Sequence, residues 1–181
     1  MTTDVSSIVT DEMRACIGRT SKQVALPEPV GPGDIRRFVD ATGDANPLWT
    51  DEAFARSKGY KGRVVPPIMI LELYRRMESE EEEEGGDGWQ NIPFPPEYTD
   101  TRNAGKEVEW LQPLYMGDTM TVQHRLVDIV ARQGRAGIGI YVTRQSEFRN
   151  GAGEMVVLLR ATTVKLPASK VADRGGSGKS R

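Results

Sequence analysis

From Lys106 onward the chain alternates apolar and polar side chains with a period of two, and this limits the fold more than any other feature. KEVEWLQPL sets Val108 and Trp110 on one face against Glu107 and Glu109 on the other. TMTVQHRLVDIV sets Met120, Val122, His124 and Leu126 against Thr119, Thr121, Gln123 and Arg125, and slips register near Val127. GIGIYVTRQSEF and EMVVLLRATTVKL follow, separated by RNGAG, whose Asn-Gly step predicts a hairpin. Three or four consecutive antiparallel strands therefore make up the back half. Such a sheet needs something apolar to cover it.

The front half supplies the cover. DIRRFVDATG carries Ile35, Phe38, Val39 and Thr42 at helical spacing, with Asp34 placed to cap its start and Gly43 to end it. TDEAFARSKG predicts a second short helix, with Thr50 as N-cap and Gly59 beyond its end. In VVPPIMILELYRRMESE the prolines Pro66 and Pro67 suit a helix start, and the residues after them are apolar almost all round. A helix of that kind is enclosed by other structure, so the fold class is α+β, with an antiparallel sheet wrapped around a central helix.

With 181 residues the chain is long enough for one domain with a real core and too short for two. Residues 1–169 are read as that domain, interrupted at 78–88 by the acidic, glycine-containing insertion ESEEEEEGGDG. WQNIPFPPEYTDT, just after it, reads as an irregular lid or packing loop, and residues 170–181 as a disordered tail or linker. A formal charge of −2 gives no electrostatic footprint for nucleic acid or an anionic membrane. Cys16 is the only cysteine and His124 the only histidine, so no Cys/His metal cage and no internal disulfide can form. The N-terminus lacks the pattern of a secretion signal, and no apolar run approaches a membrane span, so a cytoplasmic, metal-free protein is expected.

FVDATGDANPLWTD, residues 38–51, resembles the signature of the MaoC-like (R)-specific enoyl-CoA hydratases and dehydratases, which have the hot-dog fold. That signature places an aromatic residue four before Ser or Thr, then Gly-Asp-x-Asn-Pro, an aliphatic residue, His, and an acid or Ser two positions later. Phe38, Thr42, Gly43, Asp44, Asn46, Pro47, Leu48 and Asp51 match it, and Trp49 stands where the catalytic histidine belongs. GYKGRVVPPIMI, EWLQPLYMGDTMTV and GRAGIGIYVTRQSEFRNGAGE extend the resemblance over about residues 15–167, toward the fatty-acid-synthase-like subgroup.

The resemblance implies an Asp and a His that hold one water, add its oxygen to the β-carbon of a trans-2-enoyl thioester and manage the proton going to the α-carbon. An imidazole can accept that proton, whereas an indole N–H only donates. No catalytic pair is then intact. Asp44, Asn46 and Trp49 form a degenerate loop, and Trp49, Pro66, Pro67 and Ile68 are expected to line the acyl path. Arg63, with Arg135 and Lys61, is a candidate for CoA phosphates, against the ordinary reading of solvated surface charge. His124, mid-strand among apolar residues, is read as a core histidine with its hydrogen bonds satisfied. Asp44 and Asn46 taken alone would suit any tight loop between helices.

Hot-dog units pair, and the resemblance implies that a degenerate unit can supply the acyl-binding wall for a partner with an intact Asp and His. The expected role is thus the non-catalytic, acyl-binding subunit of a heteromeric hydratase or dehydratase, inactive alone. Its substrate would be a bulky or long-chain CoA thioester, steroid side-chain or fatty acyl, with no cofactor beyond that thioester. The linker-like ending leans toward the steroid system. The alternatives are a non-enzymatic thioester-binding or structural homodimer, and an autonomous hydratase in which Asp44 acts alone.

Overall fold

The computed structural model describes residues 5–73, 75, 77, 88–134 and 137–168. The acidic insertion up to residue 87, Arg135 and the 170–181 tail lie outside the described residues. Five antiparallel strands form one sheet in the order β1-β3-β4-β5-β2, where β1 is Val24–Ala25, β2 Asp100–Trp110, β3 Met120–Gly134, β4 Gly137–Asn150 and β5 Met155–Leu166. The alternation seen in the sequence sets the inner face. Met120, Val122, His124 and Leu126 are all buried along β3. A bulge between Leu126 and Asp128 then shifts the register so that Ile129 is the next buried residue. That bulge is the slip expected near Val127.

Two apolar clusters share the inner face. The larger joins Ile70, Leu73 and Met77 to Met120, Val122, Phe148 and Leu159. The helical residues at 70–73, 75 and 77 follow a 3-10 turn at Pro67–Met69, so the two prolines end the extended chain and start the core helix. This helix is one-sided at its start: Met69 and Ile70 are buried, while Ile68 is 54% exposed. The smaller cluster joins Met13, Cys16, Trp89 and Tyr98 to Leu126, Ile129 and Ile140. The segment after the acidic insertion therefore packs down on the far end of the sheet. With these residues in place the fold is a hot dog.

The helix boundaries differ from the expected ones for identifiable reasons. Helix α2 is Pro32–Thr42 and starts at Gly31 as N-cap, and Asp34 acts from the third helical position by accepting the Gly31 N–H at 2.9 Å. The short helices are α1 (Asp11–Arg14), α3 (Pro47–Thr50) and α4 (Glu52–Ser57). Asp51, not Thr50, caps α4, because its carboxylate accepts the Phe54 N–H at 3.0 Å while Thr50 closes α3. Strand β2 begins six residues before Lys106, since Asp100, Thr101, Arg102, Asn103 and Gly105 also pair with β5. No helix among the described residues is long and apolar enough to cross a membrane.

Gly43 ends α2 at φ 71°, a left-handed conformation that a side chain opposes. Gly43→Ala is expected to cost about 1 kcal/mol in urea unfolding, with the open space around its Cβ position keeping the cost from growing.

Candidate functional site

Three hydrogen bonds fix the loop after Gly43. The Asn46 N–H donates to Asp44 Oδ1 at 3.3 Å, and the Leu48 N–H donates to Asn46 Oδ1 at 3.0 Å, so Asn46 caps α3 with Pro47 at its first position. One turn of helix later, the Trp49 indole N–H points back and donates to Asp44 Oδ2 at 3.1 Å. Both carboxylate oxygens of Asp44 thus already hold a donor from within the loop. An imidazole at position 49 could exchange a proton with water beside Asp44; the indole present can only hold the carboxylate in place.

The other face of Trp49 is buried and forms the wall of an apolar cleft of about 260 Å³. Leu48, Tyr60, Pro66, Trp110 and Val157 line it with Trp49. Backbone hydrogen bonds bring these distant pieces together. The Val64 N–H donates to the Leu48 carbonyl at 3.0 Å, the Val65 N–H to the Leu114 carbonyl at 2.8 Å, and the Leu111 N–H to the Val156 carbonyl at 3.0 Å. Full small-molecule pockets run from about 300 to 1,000 Å³, so this cleft is small for a complete site. It is also open on one side, where Trp110 and Leu111, 42% and 44% exposed, stand at the end of β2, whose outer edge is unpaired among the described residues.

The residues singled out from the sequence divide accordingly. Trp49, Pro66 and Pro67 line the cleft. Asp44 is exposed and Asn46 half-buried on the outer side of the loop, and neither reaches the cleft wall. Ile68 faces outward and lines no part of it, because the turn at Pro67–Met69 swings it away from Met69 and Ile70. Arg63 also lies outside the lining; its carbonyl accepts the Met116 N–H at 3.0 Å, and its Nε is buried without a hydrogen-bond partner among the described residues. Lys61 lines a separate polar depression beside Tyr115 and Asn150. The sequence reading missed Tyr60, Trp110 and Val157 as cleft residues. The one available signal was Trp110-Leu111, an aromatic-aliphatic pair closing a strand that carries charges on its other face.

His124 is remote from the cleft lining. It is 3% exposed, its Nδ1 lies 2.8 Å from Ser146 Oγ, and its backbone N–H donates to Ser21 Oγ at 2.9 Å. Its ring stacks on Trp89 with centroids 5.4 Å apart. It serves as a polar joint between the two halves of the inner face. Ser146→Ala removes the hydroxyl that faces Nδ1 and is expected to destabilise the fold by about 1–3 kcal/mol; chemical denaturation reads this directly.

Residues 15–159 match the FAS1-like, dehydratase domain region family. The "probable enoyl-CoA hydratase alpha subunit" of Thermomonospora curvata is 30% identical over 155 residues, which are 82% of this chain and 49% of that protein. The chain spans about half the length of that relative. The "3-oxo-4,17-pregnadiene-20-carboxyl-CoA hydratase alpha subunit" of Mycobacterium tuberculosis is 44% identical over a stretch of 50 residues, 28% of this chain and 16% of that protein. Among solved structures, the ChsH1-ChsH2 complex from Mycobacterium tuberculosis superimposes with a TM-score of 0.67 at 22% identity, covering 88% of this chain and 90% of the matched chain.

Proposed function

Because the chain belongs to the FAS1-like dehydratase-region family of MaoC-like hot-dog proteins, we propose that it is the non-catalytic, acyl-binding subunit of a heteromeric 2-enoyl-thioester hydratase or dehydratase. The observation that carries this reading is the Trp49 to Asp44 hydrogen bond. Hydration needs a group that takes a proton from water as its oxygen bonds to the β-carbon, and a group that delivers a proton to the α-carbon. Here the carboxylate is tied to an indole that can do neither. The chemistry then belongs to a second hot-dog subunit with an intact aspartate and histidine, and this chain contributes apolar wall.

The cleft fits that share of the work. Its lining is mostly apolar and carries no charged side chain among the described residues, with Gln112 and the Tyr60 hydroxyl as polar groups along it, which suits the body of an acyl group better than its thioester or its CoA. Two further features support a subunit. The cleft opens at the free edge of β2, where an added strand would complete it, and relatives named as hydratase alpha subunits match this sequence. The higher identity over a short stretch of the pregnadiene-carboxyl-CoA hydratase subunit favours a steroid side-chain substrate over a long-chain fatty acyl one. The CoA thioester is the substrate and no further cofactor is required. A cytoplasmic setting follows from that substrate.

The test is turnover of trans-2-enoyl-CoA by the purified chain, alone and after addition of a hot-dog partner carrying the intact loop. Activity that arises only with the partner supports the subunit. Activity of the solitary chain that Asp44→Asn abolishes would make it an autonomous hydratase. Inactivity in every mixture, with no thioester binding, would leave a structural homodimer.

A further inference from the structure

At the other end of the inner sheet face lies a second cavity, of about 220 Å³, with a different chemistry. Its floor is Leu126 and Val142, buried on β3 and β4, and its roof is the segment carrying Trp89 and Phe94. Arg144 and Lys165 enter it from β4 and β5. Thr101 lines this cavity and Trp110 the first cleft, so the two are separated by nine residues of β2, roughly 30 Å at the rise of a strand.

The two cations are held in place. The Arg144 guanidinium lies 6.0 Å from the centroid of Trp89 and donates to Gln90 Oε1 at 2.9 Å, and the Lys165 ammonium lies 5.3 Å from the centroid of Phe94. Both side chains are half-buried, and among the described residues neither has a carboxylate partner. Other arginines of the fold do have one: Arg14, Arg37, Arg56, Arg102 and Arg149 each pair with a nearby acid. Ring contacts stabilise a cation only in part, and a guanidinium with one of its five N–H groups engaged retains the donors for a carboxylate. Partial burial without a counter-charge makes an anion the natural complement.

Their spacing says what kind. Arg144 pairs with Ala161 and Lys165 with Ile140, so their backbone positions lie four register positions apart on neighbouring strands, roughly 13 Å along the strand direction, within which the two long side chains reach the shared slot. Each is fixed over its own ring, one toward either end of an apolar floor. We propose that this slot binds a small linear dicarboxylate with an apolar middle, one carboxylate on Arg144 and the other on Lys165. Inorganic phosphate would leave the floor uncovered, and a fatty acid would satisfy only one cation. The site is independent of the thioester reading, because it shares no residue with the cleft at Trp49.

Suberate, octanoate and octanediol have the same carbon count and differ in charge, so they serve as probes in calorimetric titration of the full chain. Saturable binding of one suberate per chain is expected, at least about tenfold tighter than octanoate, with no measurable octanediol binding. Arg144→Gln and Lys165→Gln should each weaken suberate by about tenfold or more, to the octanoate level, and Arg144→Lys should recover part of the loss. Amide resonances of Thr101 and Thr163 should shift with suberate, which locates the site without any substitution. Absence of saturable binding, equal affinity for suberate and octanoate, shifts confined to other residues, or wild-type affinity in both glutamine variants would each overturn the proposal.

Discussion

Purified alone, the chain should hydrate a trans-2-enoyl thioester at least about a thousandfold more slowly than the same chain assembled with a hot-dog partner that carries the intact loop, since positioned acid–base groups contribute about 10²–10⁴ in rate. Trp49→His should close little of that gap, rising by less than about tenfold. The reason lies in what the indole does besides donating to Asp44. It is 7% exposed and forms one wall of the cleft with Leu48, Tyr60 and Pro66, so a smaller ring leaves a void where the wall was. An imidazole in that void has no packing to hold it over a water. Asp44 would stay on the outer side of the loop, with Oδ1 still taken by the Asn46 N–H. In the assembled enzyme, Asp44→Asn in this chain should lower turnover by less than about tenfold, because the proposed role puts the proton transfers on the partner. Steady-state rates of the chain, of the mixture and of the two variants check all three. A Trp49→His variant that alone approaches the rate of the mixture would sink this account.

The parts of this fold that were legible beforehand were those with a regular period and local signals. Alternation along β3 predicted which of its residues face inward, and even its bulge, because a one-residue slip exchanges every side chain between faces. Gly43 was legible as a helix end and Asp44 and Asn46 as short polar loop residues, whereas the four-residue helix that Asn46 caps and Pro47 starts was not, because it is too short to show a period. The cleft was only half legible. Trp49 and Pro66 were found from the loop and the helix start, but Trp110, Leu111 and Val157 come from strands distant in sequence, brought to them by backbone hydrogen bonds such as Val65 to Leu114. Ile68 stands outside the lining of this cleft, and an apolar run does not reveal which way a 3-10 turn rotates its members. The start of β2 was hidden for a related reason: in the polar stretch DTRNAG, residues 100–105, Asp100 is half-buried and the rest are exposed, and their strand character comes from pairing with β5 rather than from any apolar face.

That same polarity makes β2 the surface on which assembly can be tested. It is an edge strand of eleven residues, and among the described residues its backbone pairs with β5 alone. A long edge with unpaired N–H and C=O groups invites a second strand, and proteins that remain single chains shorten, bulge or charge such edges. Arg102, Lys106, Glu107 and Glu109 charge part of this one, yet it ends in Trp110 and Leu111, which are exposed beside the open side of the cleft. An exposed tryptophan at the centre of an interface commonly contributes 2 kcal/mol or more to binding. Trp110→Asp should therefore weaken association with the catalytic partner by about a hundredfold, or about 2.8 kcal/mol. Trp110 is 42% exposed and also lines the cleft, so the unfolding temperature of the isolated Trp110→Asp chain is measured beside the binding, and the loss of association should exceed any loss of stability. Ala104→Pro is the backbone counterpart. Ala104 is the bulged residue of β2, with no register partner in β5, so proline there should bend the edge strand at its existing irregularity and hinder the addition of a further strand. Sedimentation or surface-binding measurements with the partner would read both variants. If each still binds as tightly as the unaltered chain, β2 is not the meeting edge, and the open side of the cleft must be closed by something other than a strand.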